Sequence, residues 1–112
     1  MRTELKKSKR IIIKIGSSIL NGSHTVNYIA NICDEISQCI NDDKEVILVT
    51  SGAISQGMEV LNVSEKPKDI KRLQALAAVG QQKLMMMYEN LFSKNNKCTA
   101  QVLITHNDIN NR

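Results

Sequence analysis

The apolar residues of this chain change period several times along its length, and each change marks an element. Ile11, Ile12, Ile13 and Ile15 form an aliphatic run over residues 9–15 that ends at Gly16, the pattern of a strand. From Thr25 onward, Val26, Ile29, Cys33, Ile36 and Ile40 recur every three or four positions. That is the stripe of an amphipathic helix, closed by Asp42 and Asp43. Residues 45–50 contain Val46-Ile47-Leu48-Val49 without alternation, which predicts a second strand covered on both faces, as in a parallel sheet. Ser51 and Gly52 open a short helical segment through Leu61, and Pro67 marks the loop after it. The spacing of Ile70, Leu73, Ala77, Gly80, Leu84, Met87 and Leu91 predicts the longest helix, over about 69–93. Within it Ala75, Ala77, Ala78 and Gly80 leave room for another backbone to approach. A third strand is predicted over 100–105, and Asn107 and Asp108 offer the cap of one more helix.

Strand, helix, strand, helices, strand is the order of an α/β layer with parallel crossovers. The expected architecture is three-layered, α/β/α, with helices on both faces of a mainly parallel sheet. Three strands and a helix just begun make an incomplete domain, so a piece of a longer protein is expected. Residues 1–8 read as a solvated basic tail and residues 9–112 as the amino-terminal portion of a larger domain.

Composition narrows the partners. At 112 residues there is room for one domain, and 42% hydrophobic with 23% charged residues is ordinary for a globular chain. The net charge of +4 is matched by the first ten residues alone, where Arg2, Lys6, Lys7, Lys9 and Arg10 face only Glu4. With one Phe, two Tyr and no Trp there is no stacking platform for nucleic acid, and none is expected as a partner. No apolar run approaches the ~20 residues that span a bilayer, so no membrane is expected either. Cys33, Cys39 and Cys98 lack metal-ligand spacing, and His24 and His106 stand apart from other ligands. The expectation is reduced, partly buried thiols, no protein-bound metal, and a cytoplasmic setting.

The candidate chemistry lies where the strands end. Lys14 sits two residues before Gly16, at the carboxyl end of its strand, where open parallel sheets collect ligands. An ammonium group among buried aliphatic residues needs an anionic partner, and Gly16, Ser17 and Ser18 beside it suit a phosphate. Equally, a strand-end lysine can simply extend its head group to water. No G-x-G-x-x-G is present. Gly52 and Gly57 have P-loop spacing, but Met58 and Glu59 stand where Lys and Ser/Thr are required. What remains is a pair of turns rich in Gly and Ser, one after each strand. The second leads into a helix whose amino end carries unpaired N–H donors suited to an anion. Plain helix capping by Ser51 would also account for that turn.

The motifs Ile13-Lys14-Ile15-Gly16-Ser17-Ser18, Val49-Thr50-Ser51-Gly52-Ala53-Ile54 with Gly57, Gln74-Ala75-Leu76-Ala77-Ala78-Val79-Gly80-Gln81, Tyr88-Glu89-Asn90-Leu91-Phe92 and Ala100-Gln101-Val102-Leu103-Ile104-Thr105 together resemble one family. The chain is similar to the amino-terminal part of the glutamate 5-kinases (gamma-glutamyl kinases), within the amino acid kinase family. The lysine-glycine strand is shared with related kinases, whereas the T-S-G-A-I turn joined to the A-A-V-G-Q helix is far more specific.

The resemblance implies ATP-dependent phosphorylation of the side-chain carboxylate of L-glutamate to L-glutamyl 5-phosphate, the first step of proline biosynthesis. It implies ATP with Mg²⁺ as the substrate complex and a homo-oligomer. By position, Lys14 would be catalytic and touch the transferring phosphate, with Gly16 and Ser17 beside it; Ser51, Gly52 and Ala53 would bind glutamate. His106 stands where the family usually has arginine. The family's remaining glutamate-binding residues, adenine site and second phosphate-directed lysine would lie beyond residue 112, so the isolated chain is expected to be inactive. Two alternatives stay open. One is another member of the family, an acetylglutamate, uridylate or isopentenyl phosphate kinase. The other is a non-catalytic remnant serving as an interaction module.

Overall fold

A computed structural model of the chain describes residues 2–21 and 24–111. Its elements are α1 (Arg2–Lys7), β1 (Arg10–Ile15), a 3₁₀ turn (Ile19–Asn21), α2 (Thr25–Asn41), β2 (Glu45–Thr50), α3 (Ala53–Val60), α4 (Ile70–Ser93) and α5 (His106–Asn110). β1 and β2 pair in parallel, in a register that sets Arg10 opposite Glu45, Lys14 opposite Val49 and Ile15 opposite Thr50. An ion pair of 2.7 Å between Arg10 Nε and Glu45 Oε2 closes the start of that ladder. The α/β class and the parallel pairing of the first two strands agree with the sequence pattern.

The two apolar strands are covered on one face only. Ile11, Ile13, Val46 and Leu48 are half-buried and Ile15 is buried, whereas Ile12, Ile47 and Val49 are exposed. Among the described residues, α2 and α4 pack against the face that carries Ile13, Ile15, Val46 and Leu48, and the face that carries Ile12, Ile47 and Val49 is open. The covered side forms the core, where Ile15 and Leu20 meet Ile29, Cys33 and Ile36 of α2 and Leu84, Tyr88, Leu91 and Phe92 of α4. The phase of the helical stripes also shifts. Val26, Ile40 and Ile70, each at a stripe position, are exposed, while Leu76 and Tyr88 are buried. The true inner row of α4 is 76, 80, 84, 88, 91. Counting apolar residue types misses it, because Tyr88 carries a hydroxyl.

The small residues of α4 serve the close approach expected of them. A methyl group at Gly80 would run into the carbonyl of Ala53, and one at Gly57 into the carbonyl of Leu76. α3 and α4 therefore touch backbone to backbone at two glycines, one from each helix.

Three further expectations are corrected. Residues 2–7 of the basic tail are helical, and Lys44 Nζ donates to the carbonyls of Lys6 at 2.9 Å and Ser8 at 2.8 Å. That lysine satisfies acceptors a short helix leaves open at its carboxyl end. The strand expected at 100–105 is absent: the segment has no ladder, and Val102, Leu103 and Ile104 are 79%, 75% and 66% exposed. A strand exists only with a neighbour to receive its backbone groups, and among the described residues none lies beside it. Finally, the last helix is capped at Thr105. Asp108 Oδ2 accepts from the Thr105 N–H at 2.6 Å and from its hydroxyl at 3.0 Å. Those two bonds hold the Asp108 carboxyl below its usual pKa.

Candidate functional site

Parallel pairing puts the carboxyl ends of β1 and β2 at the same edge of the sheet, so the two Gly/Ser turns are neighbours. Bonds between the turns make the relation specific. The Ser51 N–H donates to the Ile15 carbonyl at 3.1 Å, and the Ser51 hydroxyl reaches the same oxygen at 3.3 Å. The first turn continues as a tight coil, with Ile19 N–H to Gly16 carbonyl at 3.3 Å and Leu20 N–H to Ser17 carbonyl at 3.1 Å. Leu20 is thereby folded into the core, directly against Gly52.

Gly52 is the residue the second turn depends on. Its φ of 103° and ψ of 5° are left-handed, a conformation in which a side chain is strained, and Leu20 occupies the space a Cβ would need. It caps α3 without any side-chain hydrogen bond, and the Gly52 carbonyl accepts from Gln56 N–H at 3.0 Å. The N–H groups of the first turn of α3 are thus left for another acceptor. Ser51 therefore does not cap the helix: its hydroxyl points across to β1. A methyl group at Gly16, in contrast, would meet nothing within 4 Å, so packing places no demand for glycine there.

Lys14 lies on the open face of the sheet, together with Ile12, Ile47 and Val49. Of the two readings left open for Lys14, its exposure agrees with a head group that reaches water, and not with an ammonium enclosed among aliphatic side chains. Among the described residues no carboxylate meets it. Ser17 and Ser51 are exposed, and Gly16, Gly52 and Ala53 are half-buried. All six candidate residues belong to the two adjoining turns or the strand just before them, with Lys14 on one strand and Ser51-Gly52-Ala53 following the other. His106 is exposed at the start of α5.

The turns are held from beneath by residues that the pattern of the sequence did not single out. Tyr88, 2% exposed, shares a hydrogen bond of 2.9 Å with Thr50 Oγ1 at the last position of β2. Burial pushes the Tyr88 phenol above its ordinary value, with the Thr50 bond pulling down and the neighbouring Cys33 pushing up. Gln56, buried in α3, reaches the Leu20 carbonyl at 3.4 Å and so ties the second turn to the first. The one available signal was Tyr88 itself, a hydroxyl at core spacing that must find a partner.

Against this geometry, the amino acid kinase family profile matches residues 9–112. The chain belongs to the amino acid kinase family. Amino acid kinase relatives at this level of similarity include the glutamate 5-kinase of Marinomonas sp. (strain MWYL1), 42% identical over 115 residues, covering 100% of this chain and 31% of the relative. The glutamate 5-kinase of Ligilactobacillus salivarius is 41% identical over 105 residues, 91% of this chain and 39% of the relative. That of Caldanaerobacter subterraneus subsp. tengcongensis is 44% identical over 106 residues, 92% of this chain and 28% of the relative. The chain thus spans about a third of the length of these kinases. Among the described residues, no helix is long and apolar enough to cross a membrane.

The thiols divide by environment. Cys33 is buried, Cys39 half-buried and Cys98 exposed, and all three are free, so Cys98 departs from the expected partial burial. Burial, with a smaller contribution from Asp34, pushes the Cys33 thiol up to about 11.

Proposed function

We propose that this chain supplies the phosphate-directed and glutamate-directed turns of a glutamate 5-kinase, which transfers the γ-phosphoryl group of ATP to the side-chain carboxylate of L-glutamate. The observation that carries the reading is the junction of the two turns through Ser51 and Ile15. It sets a cation-bearing strand end beside a left-handed glycine turn with free N–H donors. The names of the relatives support the same substrate.

The chemistry asks little of the protein in proton transfer. A glutamate side chain with a pKa near ~4.3 is ionised at neutral pH, so a carboxylate oxygen attacks the γ-phosphorus without a general base. The bond from γ-phosphorus to the bridging oxygen breaks, and ADP leaves with the negative charge. Catalysis is then positioning and neutralisation of charge. In this reading Lys14 is catalytic and meets the transferring phosphoryl oxygens, with the Gly16 and Ser17 backbone beside it. Ser51, Gly52 and Ala53 receive glutamate. The donor set of these turns is ammonium, hydroxyl and N–H, with no carboxylate, so it fits phosphate rather than a metal ion. Mg²⁺ belongs to the ATP substrate complex.

In this reading the product, L-glutamyl 5-phosphate, is that of the first step of proline biosynthesis, the protein is a cytoplasmic homo-oligomer, and residues besides those of this chain complete the site. The test is substrate-dependent ADP release by the protein carrying the complete kinase domain, offered glutamate, acetylglutamate or UMP. Release with glutamate alone is expected. Release with acetylglutamate or UMP would reassign it to another branch of the family.

A further inference from the structure

The most telling arrangement outside the proposed ligand residues is the hydrogen-bond chain beneath the second turn. Thr50 Oγ1 donates to the Ser51 carbonyl at 3.2 Å and lies 2.9 Å from the Tyr88 hydroxyl. A threonine hydroxyl has a single proton. With that proton directed at the Ser51 carbonyl, Thr50 accepts from Tyr88. The order is then Tyr88 O–H to Thr50 O–H to Ser51 C=O. A tyrosine phenol, with an ordinary pKa of ~10, is a protonated donor at neutral pH, and burial moves it further in that direction.

The end of this chain is the peptide joining Ser51 to Gly52. A trans peptide is planar, with its C=O and N–H on opposite edges. Holding the Ser51 oxygen toward the Thr50 side chain therefore turns the Gly52 N–H the opposite way, and no acceptor among the described residues meets it. Gly52 itself has no side chain to stabilise its left-handed conformation by a local bond. The pinned carbonyl before it and Leu20 against it are what hold the turn.

We infer that Tyr88 is a positioning residue for the substrate turn, acting through Thr50 to fix the Ser51–Gly52 peptide and so the direction of the Gly52 N–H. That this turn receives glutamate rests on the function proposed above; the relay itself rests on the hydrogen bonds. Tyr88 would touch neither substrate. Its effect would be on the affinity for the ligand of the second turn, with the phosphate side unaffected.

The test uses the protein with its complete kinase domain and the variants Tyr88→Phe, Thr50→Val, their combination, and Thr50→Ser. Tyr88→Phe keeps the ring and removes only the donor, and a melting curve on each variant confirms folding. The expected result is a glutamate KM raised about three- to tenfold, the cost of one neutral hydrogen bond, with ATP KM and kcat within about twofold of the parent. Thr50→Val should match it, the double variant should be no worse than either single one, and Thr50→Ser should restore parental behaviour. Amide exchange at Gln56, whose N–H is held by the Gly52 carbonyl, should be faster in Tyr88→Phe and Thr50→Val. An unchanged glutamate KM with unchanged Gln56 exchange, or equal rises in both KM values, would overturn the relay. If the parent releases no ADP with glutamate, the functional reading falls and the relay is judged on exchange alone: faster at Gln56 supports it, unchanged refutes it.

Discussion

Gly80 lies so close to the Ala53 carbonyl that a single methyl group on Gly80 would occupy the same space. Two helices meet here backbone to backbone, and the residue touched is the first of α3, directly after the Ser51-Gly52 turn. Two effects oppose each other in Gly80→Ala. Helix propensity favours alanine by about 1 kcal/mol. The clash is with a main-chain carbonyl, which cannot rotate away, and forced overpacking costs roughly 1–3 kcal/mol. The clash should win. Denaturant unfolding of the protein with its complete kinase domain should show a lowered midpoint for Gly80→Ala, and a raised one would mean the helices slide apart at little cost.

Lys14→Ala should act on turnover. The exposed ammonium has no partner of its own among the described residues, so its removal leaves the fold intact. Removing a group that stabilises transition-state charge lowers kcat about a hundredfold or more. Steady-state kinetics decide the point. Near-normal kcat with only a raised ATP KM would reduce Lys14 to ground-state binding.

Ser51→Ala should weaken glutamate and spare ATP. Loss of a hydrogen bond to a charged ligand costs about 1.5–3 kcal/mol, roughly ten- to two-hundredfold in affinity. The Ser51 N–H to Ile15 bond survives the substitution, so the two turns stay joined. Equal loss of ATP and glutamate binding would assign the hydroxyl to that junction instead. Gly52→Val should be worse, because the left-handed φ of 103° and the contact with Leu20 both exclude a branched side chain.

The thiols should separate by reactivity and by pH. Cys98, exposed, should react quickly with a disulfide reagent at neutral pH, and Cys33, buried, only on unfolding. The Cys33 thiol is raised from 9.0 to about 11, so the unfolded chain loses this proton first as pH rises. Its contribution is present below about pH 9 and is lost as pH climbs through 11. A pH series of melting curves should fall across that window, and Cys33→Ala should flatten the fall.

Prepared as a separate 112-residue polypeptide, the chain should show no glutamate-dependent ADP release and should self-associate. Ile12, Ile47 and Val49 on the open sheet face and the unpaired Val102–Ile104 segment present apolar surface and free strand edges. Size-exclusion chromatography and melting, compared with the complete kinase domain, check this. A well-behaved monomer with turnover would overturn it.

Local pattern determined the first two strands, α2, α3 and α4, because their periods and breakers are written in neighbouring residues. It also marked Gly80 and its small neighbours as a site of close approach, since only missing side chains permit one. The candidate turns, too, were legible, as Gly and Ser residues directly after apolar runs. Tertiary structure decided the rest. Whether Val102–Ile104 becomes a strand depends on a neighbour to receive its hydrogen bonds, which no spacing records. Whether Lys14 is buried depends on which faces of the sheet are covered, and aliphatic residues on both faces do not say what lies against them. Thr50 and Tyr88 are 38 residues apart, and Ser51 and Ile15 are 36 apart. Only the parallel register and the packing of α4 against it bring those groups within reach, because a hydrogen bond depends on distance in space and the sequence orders residues only along the chain.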